Sequence, residues 1–252
     1  MKLLLTGVLS LILIFPNAWA QVSIVNDQNY VGNEGVFHIV GEIENSSTVP
    51  LNQITVYATF YSLDGKSLGT KYTNSILETI MPDKKGPFDL AINESWISEL
   101  NHYSLGVKYV PTDHKTESLE ILSSHARLDI VDNFIISGTI VNHDEKTANT
   151  IVVIATFYDK DGKVVATAKT YTEPDYLKSG GEVPFLLSVS DKLQSKKISD
   201  YYLTVESEEY TAVPEFPFGS SIVLISSVIA YLLFTRKPRI VITGLSRAMN
   251  LK

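Results

Sequence analysis

The 252-residue chain contains no cysteine. That removes disulfides, thiolate metal sites and cysteine nucleophiles together. Positive charge is also short: 21 Lys and Arg stand against 28 Asp and Glu, a formal net charge of −7. Nucleic-acid backbones are held by clustered Lys and Arg, so no nucleic-acid partner is expected. The sequence has no Gly-rich phosphate loop, no dinucleotide fingerprint and no Gly-x-Ser-x-Gly elbow. Its five histidines, His38, His102, His114, His125 and His143, show none of the spacings that set two metal ligands on one face. No catalytic, cofactor-binding or metal residue is therefore expected, and the chain reads as a non-enzyme.

Both ends carry targeting patterns. Lys2 begins a positive n-region, residues 3–15 are almost continuously apolar, and Ala18-Trp19-Ala20 presents small residues at the positions a signal peptidase reads. Cleavage is expected between Ala20 and Gln21. Near the other end, residues 216–234 form a second apolar run, about 28 Å long as a helix against a hydrocarbon core of about 30 Å. Arg236, Lys237 and Arg239 follow at once. The positive-inside rule then places the domains of residues 21–213 outside and the 240–252 tail in the cytoplasm, as a single-pass protein of the cell membrane and surface. Residues 21–213 hold 15 basic and 27 acidic side chains, so the exported part carries about −12.

The middle of the chain is a tandem repeat. Shifted by 97 residues, Gly41-Glu42-Ile43-Glu44-Asn45 falls on Gly138-Thr139-Ile140-Val141-Asn142, and Ala58-Thr59-Phe60-Tyr61 falls on Ala155-Thr156-Phe157-Tyr158. Asp64-Gly65-Lys66 falls on Asp161-Gly162-Lys163, and Pro87-Phe88 on Pro184-Phe185. Within each copy the apolar period is two: Ile54, Val56, Ala58 and Phe60 alternate with polar or amphipathic neighbours, as a half-buried strand requires. The Asp-Gly pairs predict tight hairpin turns. Asp159-Lys160-Asp161-Gly162 is such a turn rather than a calcium loop, because Val164, Val165 and Ala166 stand where ligands would be needed. Further strands are expected over 36–43, 87–92 and 105–110, with partners over 134–140, 184–189 and 201–205, and short helical turns over 94–100 and 191–197. Thirteen Tyr and ten Phe suit sheet faces. The expected fold is all-β: two tandem immunoglobulin-like antiparallel sandwiches over 21–112 and 121–206, a linker over 113–120 and a stalk over 207–213, where Glu208-Glu209 should be solvated.

Two resemblances follow from these motifs. Pro214-Glu215-Phe216, with Gly219, the apolar run and the basic cluster, is similar to the PEF/PEFG-CTERM sorting tail of archaeal surface proteins. The resemblance implies recognition by a membrane-embedded archaeosortase, although thirteen residues continue beyond the basic cluster, leaving retention and cleavage of the helix both open. The repeat, with Gly-x-Ile-x-Asn, Ala155-Thr156-Phe157-Tyr158-Asp159 and the later Pro-Phe, resembles FxLYD domains, small β-sandwich modules of exported prokaryotic proteins. The first copy has Ser62 in place of the terminal acid. Asn45-Ser46-Ser47 and Asn93-Glu94-Ser95 are candidate N-glycosylation sequons. Together these features predict a membrane-anchored surface protein with structural, adhesive, or protein- or glycan-binding roles. Its alternative is an accessory extracytoplasmic subunit of a membrane transport or respiratory complex. A secreted hydrolase would require a pocket of convergent polar groups.

Overall fold

The computed structural model describes residues 21–213, and over that span the protein is all-β. The first copy contains β1 (Val22–Val31), β2 (Phe37–Asn45), β3 (Leu51–Tyr61), β4 (Ser67–Asn74), β5 (Lys85–Ile92) and β6 (His102–Pro111). They form two three-stranded sheets, β1-β2-β5 and β4-β3-β6, that enclose one core including Ile39, Val56, Phe60 and Phe88. The second copy contains β7 (Thr116–Leu128), β8 (Phe134–Asn142), β9 (Ala148–Asn149), β10 (Val152–Tyr158), β11 (Val164–Tyr171), β12 (Tyr176–Leu177), β13 (Glu182–Val189), α1 (Lys192–Ser195), β14 (Asp200–Glu206) and β15 (Tyr210–Ala212). Its own core gathers Ile136, Ile140, Phe157, Phe185 and Val205.

The 97-residue repeat survives down to single bonds. Strands β2, β4 and β5 map exactly onto β8, β11 and β13. Left-handed backbone recurs at Gln53 and Thr150 and at Gly65 and Gly162, and again at Asp83 and Gly180. A single extra residue enters the second copy at its helical turn, so Tyr61 faces His102 while Tyr158 faces Asp200.

The shared motif residues form one interlocked device. Gly41 pairs directly with Phe88 across the sheet, and Gly138 with Phe185. A Cβ on Gly41 would lie 2.8 Å from the Phe88 ring, so glycine is what allows that ring to lie over the strand. Four residues further on, the buried Asn45 donates through Nδ2 to the Val49 and Ile80 carbonyls, each at 2.9 Å. Asn142 repeats this with the Lys146 and Leu177 carbonyls at 2.7 and 3.0 Å. Each amide ties a loop to a crossing strand and satisfies carbonyls that burial would otherwise leave unpaired.

Three expectations fail here. Residues 116–120 of the expected linker belong to β7, with Leu119 fully buried, so the connection shrinks to residues 112–115. The expected stalk carries β15, which pairs with β14 and runs parallel to β7. The second copy is therefore not purely antiparallel: β15 joins both layers into one seven-stranded sheet, β11-β10-β14-β15-β7-β8-β13. Glu208 and Glu209 are exposed, as expected, and also bind a loop of the second copy. Glu209 accepts from the Asn149 backbone and side chain at 2.9 and 2.7 Å, and Glu208 accepts from Thr150 Oγ1 at 2.7 Å. The segment reads as a stalk because its polar groups bond to a distant loop that sequence periodicity does not reveal.

Candidate functional site

The two copies pack against each other within one compact unit, and the polar groups of interest gather along that contact. Side chains alternate along a strand, so each sheet has an inner face turned to its own core and an outer face. The outer face of β11-β10-β14 in the second copy covers the outer face of β1-β2-β5 in the first. Val152 and Ile154, on this outer face, join the hydrophobic cluster of the first copy. Val40 and Glu42 alternate outward along β2 yet are 0% and 1% exposed, and Glu42 meets Tyr158 of the second copy.

Two buried carboxylates lock this contact. Glu42 accepts from the Tyr158 hydroxyl of the second copy and from Asn26 Nδ2 at 3.0 Å, with Lys85 Nζ 3.9 Å away. Burial pushes the Tyr158 hydroxyl upward, reinforced by its hydrogen bond to Glu42, so it remains a neutral donor. Glu206 reaches the other way and accepts from the Glu78 and Thr79 backbone N–H groups at 2.7 and 3.4 Å. Burial raises its carboxyl to about 7, against the opposing pull of those N–H groups and of Lys115. Lys115 donates to the Ser207 carbonyl at 2.9 Å and lies 3.6 Å from Glu78, closing the cluster.

At another part of the contact lies a cleft of about 420 Å3, lined by Tyr30, Gly32 and His38 from the first copy and by Thr167, Ser188 and Asp191 from the second, among others. His38 Nδ1 sits 2.8 Å from Asp89 Oδ1, and the Tyr30 ring stacks on the imidazole with centroids 4.9 Å apart. Burial pushes the Tyr30 hydroxyl upward, assisted by the Asp89 and Asp191 carboxylates. Asp191 caps α1 through the Leu193 and Gln194 N–H groups and also accepts from the Asn33 N–H at 3.0 Å, tying the copies together again. Among the described residues, no cluster of three or more His, Asp or Glu is placed to hold a metal ion.

The residues singled out in the sequence are distributed elsewhere. Ala18 and Ala20, and the Pro214, Glu215, Phe216 and Gly219 motif with its apolar run, lie outside the described residues; no helix among the described residues is long and apolar enough to cross a membrane. Gln21 is exposed at the start of the described chain, and its carbonyl accepts from the Ser46 N–H. Asn45 is wholly buried, with its amide nitrogen committed to two carbonyls, so its sequon is occupied by a structural tie and offers no open face to a glycan. Asn93 is exposed between β5 and the 3₁₀ turn Ser95–Glu99. In the Asp159–Gly162 turn, Asp159 accepts from the Asp161 and Lys163 N–H groups, each at 2.9 Å, as a tight turn requires. Sequence reasoning missed Glu42, Glu206 and Asp191, whose partners are backbone groups or side chains far away in the chain. The one available signal was the repeat itself: Thr55 and Tyr57 in the first copy become Val152 and Ile154 in the second, an apolar gain on an outer face.

No protein-family model matches the chain, and no curated protein matches it. Among solved structures it is similar to the exo-chitosanase of Amycolatopsis orientalis, at 13% identity and a TM-score of 0.27, covering 77% of this chain and 26% of that one. Red sea bream transglutaminase gives 12% identity and a TM-score of 0.24, covering 78% and 31%. A β-glucuronidase of glycoside hydrolase family 2 gives 12% identity and a TM-score of 0.26, covering 72% and 23%. This chain therefore spans less than a third of the length of each of these proteins, and likeness at that level bears on neither substrate nor activity.

Proposed function

We propose that this is a non-enzymatic archaeal cell-surface protein. It displays two immunoglobulin-like, FxLYD-like modules outside the membrane, anchored through the C-terminal apolar helix or by archaeosortase processing near Pro214-Glu215-Phe216. Its role is structural or adhesive, through a protein or glycan partner. The observation that carries this reading is the contact between the copies: its buried carboxylates and aliphatic side chains serve to hold two modules as one rigid body. Such a body suits display and load-bearing, since a hinge that must open would not bury Glu42 and Val40 completely. The acidic surface of the exported part supports solubility outside the cell.

Peptide mass spectrometry of the native protein from its own cells, combined with protease shaving of intact cells, tests the reading. Release of 21–213 peptides by shaving, with a mature C-terminus close to residues 214–219, is expected for a sorted surface protein. Peptides beyond Arg239 in the mature protein would mean a retained anchor and would favour the accessory-subunit reading. A chain that resists shaving on intact cells would overturn surface display altogether.

A further inference from the structure

The contact between the copies uses one outer face from each, so the chain is left with two outer faces that the contact does not use. One is the β4-β3-β6 face of the first copy, equivalent by the repeat to the face that the second copy spends on docking. The other is the β7-β8-β13 face of the second copy, equivalent to the face that the first copy offers as receiver. We infer that these two faces bind each other between chains, so that the protein associates head to tail with a second copy of itself in the geometry of its internal contact.

The chemistry of both faces supports this occupant. On the donor face, Tyr61 stands where Tyr158 reaches across the internal contact, and Thr59 stands where Thr156 lies. Tyr57 and Tyr72 replace Ile154 and Lys169, with their rings 6.0 Å apart, and Tyr72 is 68% exposed. Tyrosine is enriched at the centres of protein interfaces, where it buries a large area at low entropic cost. On the receiver face, Leu186 replaces Asp89 and is 60% exposed, while Thr139 stands at the position of Glu42 and can accept from a tyrosine hydroxyl. The charges change in a matched way. Lys108 holds the register position of Glu206, opposite Thr55 as Glu206 is opposite Val152. The residue that corresponds to Glu78, beside which Glu206 docks, is the exposed Asp175. An internal carboxylate-to-backbone contact is thereby replaced, between chains, by a Lys108–Asp175 ion pair.

Because donor and receiver are different surfaces, the contact is heterologous, so it propagates from chain to chain as a row or ring instead of closing as a two-fold dimer. This extends the proposal of a rigid surface module to its partner, yet it is tested independently of anchoring.

The absence of native cysteine makes the test direct. Full-length chains carrying Asn74→Cys and Glu173→Cys are purified separately in detergent and then mixed with a bis-maleimide crosslinker. Both positions are exposed, and their counterparts Tyr171 and Ile76 line one groove of the internal contact. A covalent dimer is expected in the mixture and in neither chain alone. Adding Lys108→Glu to the Asn74→Cys chain should abolish it, and Asp175→Lys on the Glu173→Cys chain should restore it. A dimer from Asn74→Cys alone would show donor faces pairing with each other and would overturn the inference. So would a mixture that stays monomeric, or a dimer indifferent to the charge reversals. Shaving and C-terminal mapping are unaffected by any of these results.

Discussion

Glu206 is the residue at which burial and function of the fold meet most directly. It is 4% exposed, and its carboxyl is raised to about 7 from an ordinary value of 4.5. The folded protein therefore holds this proton more tightly than the unfolded chain. By linkage, the contribution of this group to stability is greatest below about pH 4.5, falls as pH rises to about 7 and is level above that. A shift of this size corresponds to roughly 3 kcal/mol across the window. Glu206→Gln keeps an acceptor for the Glu78 N–H and removes the ionisation. Urea denaturation at pH 5 and pH 8 should show the variant gaining on the parent as pH rises; an unchanged difference between the two pH values would show that Glu206 does not ionise in this window. None of this was legible in the sequence, where Glu206 opens an acidic run, Glu206-Ser207-Glu208-Glu209, that reads as solvated. Its partners are two backbone N–H groups more than a hundred residues away, and backbone groups leave no trace in composition.

At the scale of elements, the sequence was far more informative. Strict alternation from Ile54 to Tyr61 and the Asp-Gly turns located β3, β4, β10 and β11 because a period of two and a positive φ are local demands. The missed strands have different causes. β15 is three residues long and cannot show a period, and β7 opens with Thr116-Glu117-Ser118, polar residues whose strand partner is β15, far along the chain. The Gly-x-Ile-x-Asn motif was visible as a repeat, but its reason lies in the sheet: the glycine accepts an aromatic ring from the neighbouring strand. The two glycines differ in severity. A Cβ on Gly41 meets the Phe88 ring and the Asp27 side chain, which can shift, whereas one on Gly138 would stand 2.2 Å from the Ser123 carbonyl oxygen, which is backbone. Gly41→Ala should therefore cost about 1–3 kcal/mol, as overpacked sites do, and Gly138→Ala distinctly more. Thermal melts of the two variants check the order; equal losses would mean that β7 yields as readily as a side chain.

At the scale of the whole molecule, the question is whether two repeats make two folding units or one. Each copy has its own core, and Val152 and Ile154 extend the first core across the contact. Burying two such aliphatic side chains contributes about 1.5–3 kcal/mol each, and the locks through Glu42 and Glu206 add to it. Coupling of that size is a large part of the stability of a module of about 95 residues, where totals run at roughly 5–15 kcal/mol. The copies should therefore unfold together, in one calorimetric transition. Ile154→Asp is the informative change, because its side chain faces the other copy while Val153 and Ala155 face its own core. The first copy already folds with Tyr57 at the equivalent position, half-exposed on the same face, so a polar side chain there is compatible with the module itself. Ile154→Asp should split the transition into two, the first-copy and second-copy melts becoming separate. Two transitions in the parent chain would mean that the contact is too weak to couple the modules. A single unsplit transition in the variant would mean that Val152, the carboxylate locks and the Asp191 tie suffice to couple the pair without Ile154.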